Sequence, residues 1–432
     1  MSKVSAAILA AGAGTRMKSR TPKVLHRVSG RAMIDYVILA ALDISDDVQV
    51  VLRPESEDIR AHLEREFGDR VICVYQDYEN FPGTAGALKA ASPKHERVVA
   101  LNGDMPLING DFVKALASRQ EDAAISVFTK LDPFGYGRVV IKNDRVIKIV
   151  EEKDASEAEK KIAAVNGGAY SFSRSFLSGF LPKIRASRSQ KEYYITDLIA
   201  LAASDNRSVS ATWGDEYILM GVNSKAELAI AEAYHQKTLK ETLMSAGVAM
   251  RLPETIYIDA NAIFEGECVV ENGAVILGKT KIIRSVVKAH SVIEDSVVIG
   301  SDVGPMAHIR PNSEIVNTHI GNYVETKSAK LSGVKAGHLS YLGDATIGEG
   351  TNIGAGTITC NFDGKSKYQT AIGKNVFIGS DTQLVAPITI PNNVIIGAGT
   401  TVVKDPSEGD LVLSRSKQIS VANFFFNFFR KK

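Results

Sequence analysis

The sequence predicts an α/β chain in two parts: a mostly parallel sheet covered by helices, then a stacked coil of very short strands. Two observations carry this. Through roughly the first half, apolar strand-like runs alternate with helix-like patterns, the pattern of strand–helix–strand units. Over about a third of the chain, an aliphatic residue then recurs every six positions in segments too rich in glycine for helix. At 432 residues the length prior is about three domains, and counting the repeat region as one unit leaves two.

Composition narrows the function classes. A net charge of +2 argues against nucleic acid or an anionic surface as the bulk partner. Cys73, Cys268 and Cys360 are odd in number and far apart, giving neither a disulfide framework nor metal spacing. A reducing cytoplasm fits them. The apolar run after Lys3 is short and passes straight into a Gly-rich turn, unlike a signal peptide. No run reaches the ~18 apolar residues of a membrane span, so a soluble intracellular protein is expected.

In chain order, residues 4–9 read as a buried strand followed by Ala10-Ala11-Gly12-Ala13-Gly14-Thr15-Arg16-Met17. Helical patterns at 32–42 and 57–67 alternate with strand patterns at 48–52, 71–75 and 97–101. Ligands of such sheets sit beyond the carboxyl ends of the strands. The Gly12-x-Gly14 turn and the Asn102-Gly103-Asp104 turn both fall there. Met17 stands where a dinucleotide fingerprint needs its third glycine, and no Gly-Lys-Ser/Thr follows for a Walker loop. Two readings stay open for this turn. It is a plain strand-to-helix turn, or a loop whose backbone N–H groups and helix N-terminus face nucleotide phosphates, with Arg16 and Lys23 as nearby cations.

The motifs that follow bear on this choice. Residues 9–17 with Pro22-Lys23 look like a nucleotidyltransferase signature. Gln76, Gly83-Thr84, Gly103-Asp104, residues 135–138, residues 150–154, Asn166 and Gly221-Val222-Asn223 succeed it in order. Singly, each has a bland role as turn former, solvated charge or helix cap. Together they resemble the bacterial family of bifunctional N-acetylglucosamine-1-phosphate uridylyltransferase/glucosamine-1-phosphate acetyltransferases, and the resemblance covers nearly the whole chain. It implies a Rossmann-like nucleotidyltransferase domain over residues 1–223, a linker helix over 224–247 and a left-handed parallel β-helix over 248–432. It also implies that Gln76 and Gly83, with the backbone of Leu9, Ala10, Ala11 and Gly12, read the uracil of UTP. Thr84, Gly137, Glu151 and Asn166 would hold the amino sugar, and Asp104 and Asn223 a Mg2+ ion. Arg16 and Lys23 would neutralise the phosphates during transfer. Asn102 replaces a common tyrosine and Gly167-Gly168 follow Asn166, departures that touch the ribose and sugar contacts.

Residues 223–246 read as an amphipathic helix with Leu228, Ala231, Leu239 and Leu243 on one face and Gly247 as its stop. The six-residue beat follows Pro253 and is clearest at 342–357, recurring at 258–275, 320–325 and 372–402. Three such strands per coil would stack the aliphatic openers in columns and let small residues pack at the corners. A β-sandwich would instead show longer strands of period two. The region resembles hexapeptide-repeat acyltransferases, which implies left-handed coiling and a homotrimer.

Polar residues interrupt this filler, and residues 361–370 break the beat as an excursion loop would. His338, in a segment similar to the same family's acetyltransferase signature, suits a general base that deprotonates an amine attacking a thioester. By resemblance, Arg310, Lys327, Tyr341 and Asn352 hold glucosamine-1-phosphate, while Ala355, Asn361, Phe362, Ser380, Ala398 and Arg415 meet acetyl-CoA. Phe362 replaces a usual tyrosine. Sites built between neighbouring chains of a trimer would draw these residues from different subunits.

The implied function is acetylation of glucosamine-1-phosphate, then Mg2+-dependent uridylylation of N-acetylglucosamine-1-phosphate to UDP-N-acetylglucosamine for cell-envelope polysaccharides. The alternatives are a uridylyltransferase with a trimerising coil, or a non-catalytic scaffold. Residues 424–432 place five phenylalanines beside three cations. Packing on the last coils or on a neighbouring subunit is the favoured reading there, with a membrane surface as the competing one.

Overall fold

A computed structural model of the chain describes residues 4–12, 14–143, 145–186 and 192–430. It forms two compact units, residues 1–236 and 237–432. The first is built on strands β1 (Val4–Leu9), β2 (Asp47–Leu52), β3 (Ile72–Tyr75), β4 (Arg97–Asn102), β5 (Ala123–Thr129), β6 (Arg138–Lys142), β7 (Arg145–Val150), β8 (Ala164–Ser173) and β9 (Val209–Trp213). Their order is β9-β5-β8-β4-β1-β2-β3, with the β6/β7 hairpin attached to β8. β1 lies parallel between β4 and β2, and all six of its residues are buried. That is why it reads as a continuous apolar run. β8 is antiparallel to both β4 and β5.

Helices α1 (Met33–Leu42), α2 (Glu57–Phe67), α3 (Thr84–Ala90), α4 (Gly110–Ala117), α5 (Arg174–Phe180) and α6 (Asp197–Ser204) connect the strands. α2 shows the logic. Ile59, Leu63 and Phe67, four residues apart, form its buried face, and Gly68 at φ +54° takes the chain out of the helix. One expectation fails here. No α-helix follows the first Gly-rich turn, only short 3₁₀ turns at Thr15–Met17 and Lys23–Leu25, and α1 starts at Met33. Pro22, which lacks an N–H and restricts its predecessor, interrupts any longer helix.

The second unit is a three-sided parallel coil, each side a ladder of two- to four-residue strands. Ile258, Ile276, Ile293, Ile309, Thr326 and Leu342 stack in register on one side. Val270, Val287, Val303, Ile320, Ala336, Ile353, Ile378 and Ile396 stack on the second. All are buried, each large aliphatic contributing about 1.5–3 kcal/mol. After the first pair, Ala249 beside Val269, ladder partners mostly stand sixteen to eighteen residues apart, as Ile282 beside Val298 and Ile378 beside Ile396 do. Across residues 361–369 the step widens: Ile347 pairs with Ile372 and Asn352 with Phe377. The break in rhythm is thus an excursion between coils.

Two features of the corners give the coil its composition. Left-handed residues recur in columns, for example Gly273, His290, Met306, Tyr323, Leu339, Gly356 and Asp381. A Cβ on Gly273 would lie 2.2 Å from His290 Nδ1 in the next coil, so glycine there serves close stacking as well as backbone geometry. Buried hydroxyls satisfy the backbone between coils. Ser301 N donates to Ser285 Oγ at 3.1 Å, Thr318 N to Ser301 Oγ at 2.9 Å and Val334 N to Thr318 Oγ1 at 3.1 Å. The small corner residues therefore bond as well as fit.

The stretch read as an amphipathic helix forms α7 (Lys225–Ser245), but its apolar face is patchy. Ala231 is buried, whereas Leu228, Leu239 and Leu243 are half-buried. Polar groups do much of the anchoring. Glu232 accepts from Ser29 N at 2.9 Å, and Gln236 Nε2 donates to Ser29 Oγ at 2.8 Å. Buried Lys240 donates to the carbonyls of Pro253 and Ile256 at 2.6 and 2.7 Å. Among the described residues no helix is long and apolar enough to cross a membrane. The tail forms a short helix, α8 (Phe424–Phe428), whose rings are exposed and stack on one another. Packing against the last coils, the first of the two placements favoured from sequence, is not what the described residues adopt.

Candidate functional site

In the first unit, a cavity of about 450 Å³ opens at the carboxyl edge of β1, β2 and β4. Leu9, Ala10, Ala11, Gly12, Arg16, Lys23, Gln76, Gly83, Thr84, Asp104 and Asn223 all line it. Gly14 holds the first loop at φ +62°, and a Cβ there would fall 2.6 Å from the Cβ of Lys23. The close approach seats Lys23 over the loop. Its ammonium pairs with the Asp104 carboxylate and donates to Asn223 Oδ1 at 2.9 Å, while Arg16 Nη2 donates to the same oxygen at 2.8 Å. Residues from three distant parts of the chain thus converge on one point. The Asp104 and Asn223 oxygens both turn to a single cation, Lys23 Nζ. That disposition fits a hard ion such as Mg2+, which takes one or two protein oxygens and keeps its waters.

Around this point the loops are tied down. Gln76 is buried, and its Nε2 donates to Phe81 O at 2.8 Å and Gly83 O at 2.9 Å. With both amide hydrogens engaged, Oε1 is its remaining polar group. Gly83 sits at φ +93°, where a Cβ would meet the backbone of Tyr193 at 2.6 Å. Thr84 Oγ1 accepts from Ile195 N at 3.0 Å, and Thr196 Oγ1 donates to Glu151 at 3.3 Å. Gly137, Glu151 and Asn166 stand outside the cavity lining as a linked cluster. Asn166 N donates to Gly137 O at 2.9 Å, and a Cβ on Gly137 would face the Glu151 carboxylate. Burial raises the Glu151 pKa, against the Thr196 hydrogen bond and with help from Asp154 and Asp197. The two sequence departures meet: a Cβ on Gly168, at φ +75°, would come within 2.5 Å of Asn102 Nδ2.

Sequence reasoning missed Arg53 and Tyr78, which line the same cavity. The Arg53 guanidinium lies 3.8 Å over the Tyr78 ring, and its Nε donates to Ala11 O at 2.5 Å. Arg53 directly follows β2, so the strand-end rule that placed Gly12 and Gly103 applies to it as well.

On the coil, Arg310, Lys327 and Tyr341 share one side. Arg310 Nη1 donates to Glu325 at 2.8 Å, and Glu325 is the ladder partner of Tyr341. A third cation joins them, Lys367 on the excursion loop. Lys367, then Arg310, hold the Lys327 ammonium below its ordinary pKa, opposed by Asp344. Asn361 Nδ2 donates to Asp344 at 2.6 Å and lies 3.4 Å from the Tyr341 hydroxyl. Such clustered cations suit a phosphate. His338 and Asn352 belong to the adjoining side, His338 exposed beside Asn322 and Asn352 between Lys335 and Phe377. One chain therefore splits the expected constellation across two faces.

Further along, Ala355, Ser380 and Ala398 line one edge in successive coils. Asp381 N donates to Ala355 O at 2.7 Å and Gly399 N to Ser380 O at 2.8 Å. A Cβ on Gly379 would strike Ala398 N at 2.4 Å, and one on Gly397 would lie 2.9 Å from Arg415 Nη2. The edge is thus a narrow track of small residues with a guanidinium over its end. Phe362 is exposed on the excursion loop.

A family profile described as a MobA-like NTP transferase domain matches residues 6–167, and one described as a hexapeptide repeat of succinyl-transferase matches residues 369–404. Proteins called bifunctional protein GlmU match the chain end to end. Those of Sulfurovum sp. (strain NBC37-1) and Aliarcobacter butzleri (strain RM4018) are each 53% identical, over 99% and 100% of this chain and 100% of their own length. That of Wolinella succinogenes is 53% identical over 99% of both chains.

Proposed function

We propose a division of labour for this chain, which belongs to the GlmU family of bifunctional proteins: residues 1–223 transfer a uridylyl group, residues 248–432 transfer an acetyl group, and the helix within 224–247 joins them. The chain is a bifunctional enzyme of UDP-N-acetylglucosamine synthesis. It acetylates glucosamine-1-phosphate with acetyl-CoA and, with Mg2+, transfers uridylyl from UTP to N-acetylglucosamine-1-phosphate. Its coil is the left-handed β-helix of hexapeptide repeats. The observation that carries the residue assignment is the convergence of Lys23, Arg16, Asp104 and Asn223 at the mouth of the cavity.

In the first reaction centre, an oxygen of the sugar 1-phosphate attacks the α-phosphorus of UTP, and the bond to the β-phosphate breaks to release pyrophosphate. Asp104 and Asn223 would hold Mg2+, which when bound would supply charge neutralisation at the phosphates. Lys23 turns from these two residues to the transferring group, and Arg16 follows the leaving pyrophosphate. Gln76 Oε1 and the backbone of residues 9–12 read the uracil edge, with Gly83 beside them. Thr84, Gly137, Glu151 and Asn166 orient the amino sugar, so positioning and electrostatics carry the rate.

In the second centre, Arg310 and Lys327, together with Lys367, hold the phosphate of glucosamine-1-phosphate beside Tyr341. His338 takes the amine proton as the nitrogen attacks the thioester carbon, and the C–S bond breaks as that proton passes to the departing sulfur, releasing CoA thiol. The pantetheine arm follows Ala355, Ser380 and Ala398 toward Arg415, with Asn361 and Phe362 at its start. The placing of His338 and Asn352 on a different face from the cations supports a homotrimer whose sites combine two chains. Three free cysteines support a cytoplasmic location.

The test follows CoA thiol and pyrophosphate separately, for the native chain and for His338→Ala. Thiol release lost in the variant, with pyrophosphate restored by N-acetylglucosamine-1-phosphate, is the expected result. Pyrophosphate without thiol from the native chain would reduce the coil to a scaffold.

A further inference from the structure

Apart from Arg415, the last segment of the chain is used by neither centre. Leu413 to Val421 adopt no helix or strand and are exposed, except where Arg415 reaches Gly397, and α8 follows. Asn423 stands at its start with φ +58°. Hydrogen bonds from Asn427 N to Asn423 O, Phe429 N to Phe425 O and Arg430 N to Phe426 O carry the helical turn past both ends. At 3.6 residues per turn, Asn423, Asn427 and Arg430, four and three residues apart, fall on one narrow stripe. Phe424, Phe425, Phe426, Phe428 and Phe429 cover the rest, each about two-thirds exposed.

The charge around this helix is one-sided. After Asp410 the sequence holds no acidic side chain, but it holds Arg415, Lys417, Arg430, Lys431 and Lys432. Aromatic rings on a wide face, a thin polar stripe and adjacent cations are what an interfacial segment presents to an anionic lipid surface. Another protein surface would more often match such rings with a narrower apolar seam. We propose that α8 is a membrane-surface anchor: its phenylalanines enter the headgroup–acyl boundary and Arg430, Lys431 and Lys432 pair with anionic headgroups. The enzyme is then recruited reversibly, since so short an apolar face with a few cations does not give permanent insertion.

The test is co-sedimentation of the full-length protein with vesicles of phosphatidylcholine alone or mixed with phosphatidylglycerol. Binding to the mixed vesicles only is expected, and raising the salt to about 1 M, where screening acts within about 3 Å, should release it. Each cation near an anionic surface raises partitioning about fivefold. R430Q/K431Q/K432Q should therefore bind on the order of a hundredfold more weakly, and F425S/F428S should stay in the supernatant. Both variants should keep both transferase activities and the native mass by light scattering. A native protein that stays in the supernatant with mixed vesicles overturns the proposal. So does a Phe variant that binds as well as the native chain, or one whose mass changes, which would place the rings against another copy.

Discussion

The two proposed reaction centres are assembled by opposite strategies. In the first unit, residues as far apart in sequence as Arg16, Asp104 and Asn223 meet because loops leave the same edge of a parallel sheet. In the coil, functional groups stand at fixed steps along a ladder, Lys327 beside Gly343 and Asn322 beside His338, with the excursion loop of Asn361 and Lys367 alongside. The sheet encloses a cavity of about 450 Å³, whereas the coil displays its groups on open faces. A folded-over site depends on tertiary closure to define its chemistry. A laddered site depends on repetition, and needs a neighbour to enclose its substrate.

The comparison breaks most sharply if one centre falls silent while the other runs. Lys23→Ala or Arg16→Ala should lower uridylyl transfer by about 10²–10³-fold, the usual cost of a preorganised charge at the reacting group. Acetyl transfer should be unchanged in both, and normal uridylyl transfer in Arg16→Ala would refute its assignment. His338→Ala should lower acetyl transfer by about 10²–10⁴-fold with pyrophosphate release intact.

A smaller effect sharpens the account of the open face. Lys367→Ala should raise KM for glucosamine-1-phosphate by roughly tenfold or more, as loss of a charge-assisted hydrogen bond does, with a lesser change in kcat. It should also move a titration. Lys367 holds the Lys327 ammonium below its ordinary pKa, so the cationic form that binds phosphate is lost early as pH rises. Removing Lys367 should push the alkaline limb of kcat/KM to higher pH. An alkaline limb that does not move would separate Lys367 from Lys327.

The smallest effect concerns the linker helix. Burial, then Arg31, lowers the His235 pKa from 6.5 to about 4. Between those values the unfolded chain binds the proton that the folded chain refuses. Stability of the first unit is therefore complete above pH 6.5 and declines as pH falls toward 4. His235→Gln should flatten that slope in thermal melts. An unaltered slope would place the acid sensitivity elsewhere.

How much was legible in the sequence follows the same division. The six-residue beat announced the coil, because a ladder writes its geometry directly into its spacing. Strand β1 and helix α2 were read to the residue, since an all-buried strand and an i, i+4, i+8 stripe leave plain patterns. Lys23, Asp104 and Asn223 were singled out through motif resemblance, and no periodicity would have joined them. The helix expected after the first turn was wrong because its propensity was judged without the stop imposed by Pro22. Arg53 and Lys367 were missed for different reasons. The first lies at a strand end that carries no motif, and the second on a loop outside the repeat. The hydroxyl chain of Ser285, Ser301 and Thr318 was read only as small residues, because the bond each makes runs to a strand a full coil away.

The stacked edge of Ala355, Ser380 and Ala398 carries a last implication. Neighbouring coils are spaced by the hydrogen-bond repeat of a β-ladder, about 4.8 Å. The edge is therefore a graduated ruler, with one small residue per division and Arg415 near its far mark. If these residues hold the acyl donor as proposed, a flexible thioester carrier laid along the edge would be sensitive to length, since its reactive end would reach His338 only when its charged end met the right graduation. Removing one whole coil between His338 and Arg415 would shift that scale by one division.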